Sequence, residues 1–144
     1  MTATFIMNDL QEAANPEKAQ ILQKFFKTAP GQYGEGDQFL GIVVPVIRKR
    51  VKKHLQTPLP EICKLLHSPY HEVRLCALLL LTERFKKAGL EEQETIYHLY
   101  LQHIHCINNW DLVDLSSPGI VGKYLLNKDR AILYRLAAEG NLWE

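Results

Sequence analysis

Long apolar runs and a secretory leader are both missing from the sequence. No stretch approaches the roughly 18 consecutive apolar residues that a membrane-spanning helix needs. Residues 1–10 contain no lysine or arginine and include Asp9, so we expect no signal peptide. Because the net charge is only +1, the chain as a whole generates no field that would indicate a nucleic acid or a membrane surface.

Cysteine is scarce, and metal and nucleotide motifs are missing as well. The three cysteines contain no CxxC spacing, and Cys63 and Cys76 fall within apolar helical patterns. We therefore expect reduced thiols, with Cys63 and Cys76 buried, in a cytoplasmic protein. In the segment 103–106 two histidines stand at i and i+2, which point apart on a helix, so we expect no metal site. No P-loop, GxGxxG or GxSxG motif is present.

Apolar residues recur at helical spacing along almost the entire chain. With 144 residues, of which 47% are hydrophobic, the chain is long enough for one domain with a continuous core. Asn15-Pro16 and Ser68-Pro69 each place a capping residue before proline, the order that opens a helix. The segment Tyr70–Ala88 is apolar on most sides, which predicts a helix inside a packed layer. Ile42–Val44 could form a strand, but Pro45 interrupts it, and the sequence predicts an all-α protein.

A weak repeat of paired helices is visible in the second half of the chain. Tyr70–Arg74 and Trp110–Asp114 lie about 40 residues apart, and each opens a helix after a Ser or Asn cap. This spacing predicts a HEAT-like helical-repeat solenoid, an α-α superhelix formed by residues 1–144 as a single domain. The segment Asn141–Glu144 looks like a third opening, so we expect the chain to be the N-terminal part of a longer family domain, truncated at its C-terminus.

One cluster near residue 110 has the composition of a site. If Asn109 caps the helix, Asp111 lies in the first turn, where the helix dipole favours a carboxylate. Asp114 lacks that explanation, and it shares a helix face with Trp110 at i, i+4. An indole beside a carboxylate suits a cationic ligand. Two interpretations are open: a site of this kind, or a packed Trp110 with Asp114 in an ordinary ion pair.

A local basic run contrasts with the balanced charge of the remaining chain. Five of the seven residues from 48 to 54 are permanently cationic: Arg48, Lys49, Arg50, Lys52 and Lys53. Ile47, Val51 and Leu55 share the inward face of the same predicted helix, so the charges should project outward. The run is compatible with phosphate contacts and equally with a solvated helix face.

Several segments, in order along the chain, resemble the AlkD-type DNA alkylation repair family. The resemblance covers about residue 15 to the end and rests on Tyr33–Gly41 with Val44–Arg48, on Ser68–Arg74, on Asn108–Asp114, and on Gly122–Leu126 with Asp129-Arg130. It implies HEAT-like repeats and a DNA glycosylase that removes purines carrying a positive charge from ring alkylation. It also implies that Trp110 lies against the lesion nucleotide and that Asp114 is the catalytic carboxylate.

The same resemblance extends to partners and to the length of the protein. It implies a monomer that binds double-stranded DNA containing alkylated purines, with water as co-substrate and with neither a cofactor nor a metal. In the family, further helices after the Asn141–Glu144 opening supply an arginine and a second tryptophan to the DNA cleft, and these helices lie outside the 144 residues. The alternative is a non-catalytic helical-repeat scaffold that binds DNA or protein.

Overall fold

The regular secondary structure of residues 2–144, which the computed structural model describes, is helical. The helices are α1 Ala3–Glu12, α2 Pro16–Phe25, α3 Val44–Lys53, α4 Leu59–Leu66, α5 His71–Lys87, α6 Leu90–Gln102, α7 Trp110–Asp114, α8 Lys123–Leu125 and α9 Ala131–Glu139. The only extended pairing within this range is an isolated bridge between Gln38 and Tyr70. The all-α prediction is confirmed, and the helices are consistent with an all-α helical-repeat fold. Over residues 2–144 we find no helix with the length and apolarity that crossing a bilayer requires.

Local capping signals set where the helices begin. The Asn15 side chain accepts hydrogen bonds from the backbone N–H groups of Glu17 and Lys18, both at 3.1 Å, and Pro16 follows it as the first helical residue. The longest helix, α5, begins at His71, one residue later than the sequence predicts. Tyr70 is held out of it because its backbone takes part in the bridge with Gln38.

The chain forms two compact units, the first ending at Leu80 and the second running from Leu81 to Glu144. In the first unit, α1, α3 and α4 bury the apolar stripes that the sequence predicts, represented by Leu10, Ile47 and Leu65, each 0% exposed. Every residue from 71 to 81 on α5 is buried, which confirms the prediction of an internal helix. Cys76 on α5 is fully buried as expected, whereas Cys63 on α4 is only half-buried, so that part of the prediction was wrong.

Two of the segments that resemble the repair family, Tyr33–Gly41 and Ser68–Arg74, are joined by hydrogen bonds within the first unit. The Glu72 carboxylate accepts backbone hydrogen bonds from Leu40, Gly41 and Ile42 at 2.8 to 3.0 Å. Gly41 has φ +88°, and a Cβ there would lie 2.0 Å from the Asn15 carbonyl oxygen, so only glycine fits. The loop that contains Gly34, Gly36 and Gly41 is therefore hydrogen-bonded to the start of α5. This loop leads directly into α3.

A second polar network supports the same loop. The Asp37 carboxylate binds His71 Nδ1 at 2.5 Å and Arg74 Nη2 at 2.6 Å, and all three side chains are buried. The His71 ring also stacks on Phe39, with centroids 4.6 Å apart. Such a buried network favours one loop conformation, because breaking any member leaves an uncompensated buried charge.

The second unit has its core on α6, α7 and α8. Ile96, Leu112 and Leu125 are buried there, and a polar chain crosses the core next to them. The Tyr100 hydroxyl lies 2.8 Å from Ser116 Oγ, which donates to the Leu112 carbonyl oxygen at 2.5 Å. Both hydroxyls are buried, so this chain fixes the position of α7 relative to α6.

Candidate functional site

Helix α7 carries the two residues that the sequence singled out, and its start follows the expected pattern. The fully buried Asn109 is the N-cap and accepts a hydrogen bond from the Trp110 N–H at 2.9 Å. Asp111 lies in the first turn and is 6% exposed. There its carboxylate is close to the positive end of the helix dipole, so its presence is accounted for by the helix itself.

The end of α7 places Asp114 differently. Asp114 is the last helical residue, and the residue four positions later is Pro118, which has no N–H to donate to the Asp114 carbonyl oxygen. The chain instead turns through Leu115–Ser117 into a short π-helical segment, Pro118–Gly122. The Asp114 carboxylate thus lies at the negative end of α7, where helix electrostatics do not favour a second negative charge.

Trp110 and Asp114 form an exposed pair on one side of α7. They are four residues apart, and both side chains reach solvent, with Trp110 37% exposed. No other described residue makes a hydrogen bond or ion pair with the Asp114 carboxylate. An exposed indole next to an uncompensated carboxylate is an arrangement that attracts cations.

A small cavity lies within the second unit, with Val113 of α7 in its wall. It has a volume of about 50 Å³ and is lined mainly by apolar side chains of α6 and α9, by Val113 and Ser117, and by Trp143. A space of this size holds only a few water molecules. The cavity is therefore too small for a nucleobase, and Trp110 and Asp114 do not line it.

Trp143 belongs to a helix opening that the sequence already indicated. The Asn141 side chain accepts hydrogen bonds from the N–H groups of Trp143 and Glu144, and the Glu144 carboxylate accepts one from the Asn141 N–H. This reciprocal pattern is that of a capping box, although residues 141–144 form a turn and not a helix, so the helix opening stays a prediction. The cavity contact of Trp143 could not be foreseen, because most of the residues that line the cavity lie more than twenty positions earlier.

The basic run lies on α3 in the first unit, and four of its five cations are exposed. Arg48, Lys49, Lys52 and Lys53 reach solvent, and none of them pairs with a carboxylate among residues 2–144. The face opposite them is held by buried Ile47 and Val51. We call this set of four the α3 basic surface.

Arg50 has an internal partner that the sequence did not indicate. Its guanidinium is half-buried and pairs with the Asp9 carboxylate, which also binds His54 Nε2 at 2.6 Å. Burial by itself would raise the pKa of Asp9, but the hydrogen bonds from His54 and Arg50 outweigh it and hold that pKa below its ordinary value. Arg50 therefore links α3 to α1, and its assignment to DNA phosphates stays a prediction.

The predicted site residues fall into two groups. Trp110 and Asp114 lie together on α7 in the second unit, and the α3 basic surface lies in the first. A family model described as DNA alkylation repair enzyme matches residues 6–144, a range that contains both groups. No curated protein shows significant similarity to the chain.

Proposed function

The chain belongs to the family of DNA alkylation repair enzymes, and from that premise we propose that it is a DNA glycosylase acting on alkylated, cationic purines. The proposal rests on one observation above all: α7 presents an indole and an uncompensated carboxylate to solvent, side by side. Cationic purines differ from normal bases by their positive charge, and this pair is complementary to that charge.

The reaction proposed is hydrolysis of the bond between C1′ of the deoxyribose and the alkylated purine. As the bond breaks, its electron pair leaves with the base and neutralises the positive charge of the ring. The sugar becomes an oxocarbenium-like cation, which the negative charge of Asp114 stabilises. A water oxygen then bonds to C1′, and its proton passes to Asp114 and on to solvent. One carboxylate suffices, because the cationic base leaves without protonation.

Trp110 serves the proposed site as a contact surface for the substrate. An indole face within about 6 Å of a cation contributes about 0.5 to 2 kcal/mol, more when water is excluded. In its place on α7 the ring lies one turn before Asp114, so a nucleotide resting against it has its sugar near the carboxylate. Trp110 would therefore discriminate in favour of charged lesions.

DNA binding is assigned to the basic run, Arg48, Lys49, Arg50, Lys52 and Lys53. The four members of the α3 basic surface have no carboxylate partner among the described residues, so phosphates would be their first fixed counter-charges. The guanidinium of Arg50 is paired with Asp9, so Arg50 would support DNA binding by its positive charge and by holding α3 in place. Water is the only co-substrate that the proposed reaction requires, and a monomer in the cytoplasm remains the expectation.

The alternative, a non-catalytic scaffold, is favoured by a different surface. Helix α2 buries none of its residues, and Ile21 and Phe25 on it are 65% and 61% exposed. Large apolar side chains exposed at i, i+4 often mark a surface that binds another protein. The two functions differ in one property, because only the glycosylase needs the charge of Asp114.

The decisive experiment compares Asp114→Asn with Asp111→Asn in the full chain. Base release is measured under single-turnover conditions from duplex DNA containing 7-methylguanine. We expect Asp114→Asn to lower the rate by about two orders of magnitude or more, since a preorganised charge is lost, while DNA binding is kept. Asp111→Asn should act mainly and modestly on thermal stability, because asparagine is also tolerated near a helix start. Wild-type rates in Asp114→Asn would remove the glycosylase assignment and leave the scaffold.

A further inference from the structure

A second group of cations lies in the second unit, around the end of α8. Between residues 123 and 135 the chain carries four cations and one carboxylate, Asp129. Lys123, Lys128, Arg130 and Arg135 are all exposed. We call these four residues the second basic surface.

Hydrogen bonds to the backbone hold two of these cations in place. Lys128 Nζ donates to the Tyr124 carbonyl oxygen at 3.0 Å, and Arg130 Nη2 donates to the Leu126 carbonyl oxygen at 2.7 Å. Both bonds satisfy carbonyl groups at the end of α8 that have no helical donor. The two charges are therefore anchored close to the protein surface, and each retains further N–H groups for a ligand.

An aromatic stack lies beneath one of these cations, Lys128. The rings of Tyr97 and Tyr124 are stacked with centroids 4.0 Å apart, and Lys128 Nζ lies 4.2 Å from the Tyr124 centroid. Burial raises the pKa of the Tyr97 phenol, and the charge of Arg135 opposes that shift. The rings thus connect α6 and α8 next to Lys128.

The positive charge of this surface has no carboxylate counter-charge among the described residues. Asp129, the one acidic residue among the four cations, accepts the Ala131 N–H at 2.9 Å at the start of α9. None of the four cations forms an ion pair with a carboxylate among residues 2–144. A local excess of charge without a carboxylate counter-charge is suited to a polyanion.

We propose that the second basic surface binds backbone phosphates of duplex DNA, so that the second unit has its own DNA contact in addition to the α3 basic surface. This inference rests on the proposed function and deepens it. Tyr134, which is 79% exposed between Arg130 and Arg135, is positioned to donate its hydroxyl to a phosphate or to pack on a sugar. Contacts of this kind position the protein on the duplex and do not depend on the base sequence.

The test uses undamaged duplex DNA, fluorescence anisotropy and a series of salt concentrations. The variant Lys123→Gln/Lys128→Gln/Arg135→Gln removes three charges from the surface. Its matched control, Lys18→Gln/Lys24→Gln/Lys87→Gln, removes three exposed charges elsewhere and has the same net charge. Each lost phosphate contact should lower the slope of log K against log salt by about 0.9. We expect a loss of about two to three units of slope in the variant and little change in the control.

Other outcomes separate this inference from the proposed function. If variant and control have the same slope, or if the variant loses binding only to anionic phospholipid vesicles, the second basic surface is not a DNA contact and the inference is wrong. If wild type binds no duplex at all, the proposed function fails as well. A double variant, Lys123→Gln/Arg135→Gln, keeps the Lys128 bond to the backbone, so a salt effect in it excludes misfolding as the cause. Single-turnover base release should stay at the wild-type rate in the control variant Lys18→Gln/Lys24→Gln/Lys87→Gln.

Discussion

Replacing Glu72 with glutamine should strongly destabilise the protein. Glu72 is 1% exposed and accepts three backbone hydrogen bonds, from Leu40 to Oε1 and from Gly41 and Ile42 to Oε2. In Glu72→Gln the amide oxygen best replaces Oε2, and the NH₂ group then faces the Leu40 N–H. One buried donor loses its acceptor, and two charge-assisted bonds become neutral bonds.

The magnitude follows from these three bonds. A buried N–H without an acceptor costs about 1 to 3 kcal/mol, and each conversion of a charge-assisted bond to a neutral bond costs about 1 kcal/mol. The sum is about 3 to 5 kcal/mol, a large fraction of the roughly 5 to 15 kcal/mol that stabilises a typical domain. Because the loop at Leu40–Ile42 leads directly into α3, the same change should also displace the α3 basic surface.

Urea unfolding followed by circular dichroism measures this effect. Glu12→Gln is the control, since Glu12 is exposed and makes no described hydrogen bond. We expect the control to stay within about 0.5 kcal/mol of wild type, as surface changes usually do. Hydrogen exchange should show the N–H groups of residues 40–42 losing protection first in Glu72→Gln. A loss of stability below about 1 kcal/mol would refute the reasoning, because it would mean that water or another group replaces the carboxylate at no cost.

Three further predictions concern buried or half-buried side chains within each of the two units. The hydrogen bonds from His54 and Arg50 lower the pKa of Asp9 from 3.8. The contribution of the Asp9 carboxylate to stability should therefore be complete above pH 3.8 and be lost as the pH falls through the lower pKa of the folded state. In Asp9→Asn, the free energy of unfolding measured in urea should depend less on pH in this range. Burial raises the pKa of Cys76 to about 12, so a thiol reagent should label Cys76 only at the rate of unfolding, and rapid labelling in the native state would contradict its burial. Tyr100→Phe should cost about 1 kcal/mol in thermal unfolding by removing one buried hydrogen bond, and an unchanged midpoint would show that the Tyr100 hydroxyl does not help to hold α7.

Features governed by near neighbours were predictable from the sequence. Helix starts at Asn15 and Asn109 depend on a side chain that caps a backbone N–H one to three residues away, so the signal is contained in a few letters. The buried status of α5 follows from apolar residues on all its sides. The distinction between Asp111 and Asp114 is also local, because it depends on the distance of each carboxylate from the helix start. The roles in the reaction were implied by the family resemblance and remain proposals.

Contacts between distant parts of the chain were decided only by the tertiary structure. Glu72 reaches the loop at Leu40 across 32 positions, and Arg50 reaches Asp9 across 41, where no spacing rule connects a side chain to its partner. As a result Arg50, one letter among five similar cations, is bound to Asp9 while its neighbours face solvent. The surroundings of Lys128 were also decided by the tertiary structure, since the sequence does not show that Tyr97 and Tyr124 stack beneath it. Periodicity and capping are short-range properties of the backbone, whereas the pairing of buried charges is selected by which helices pack together.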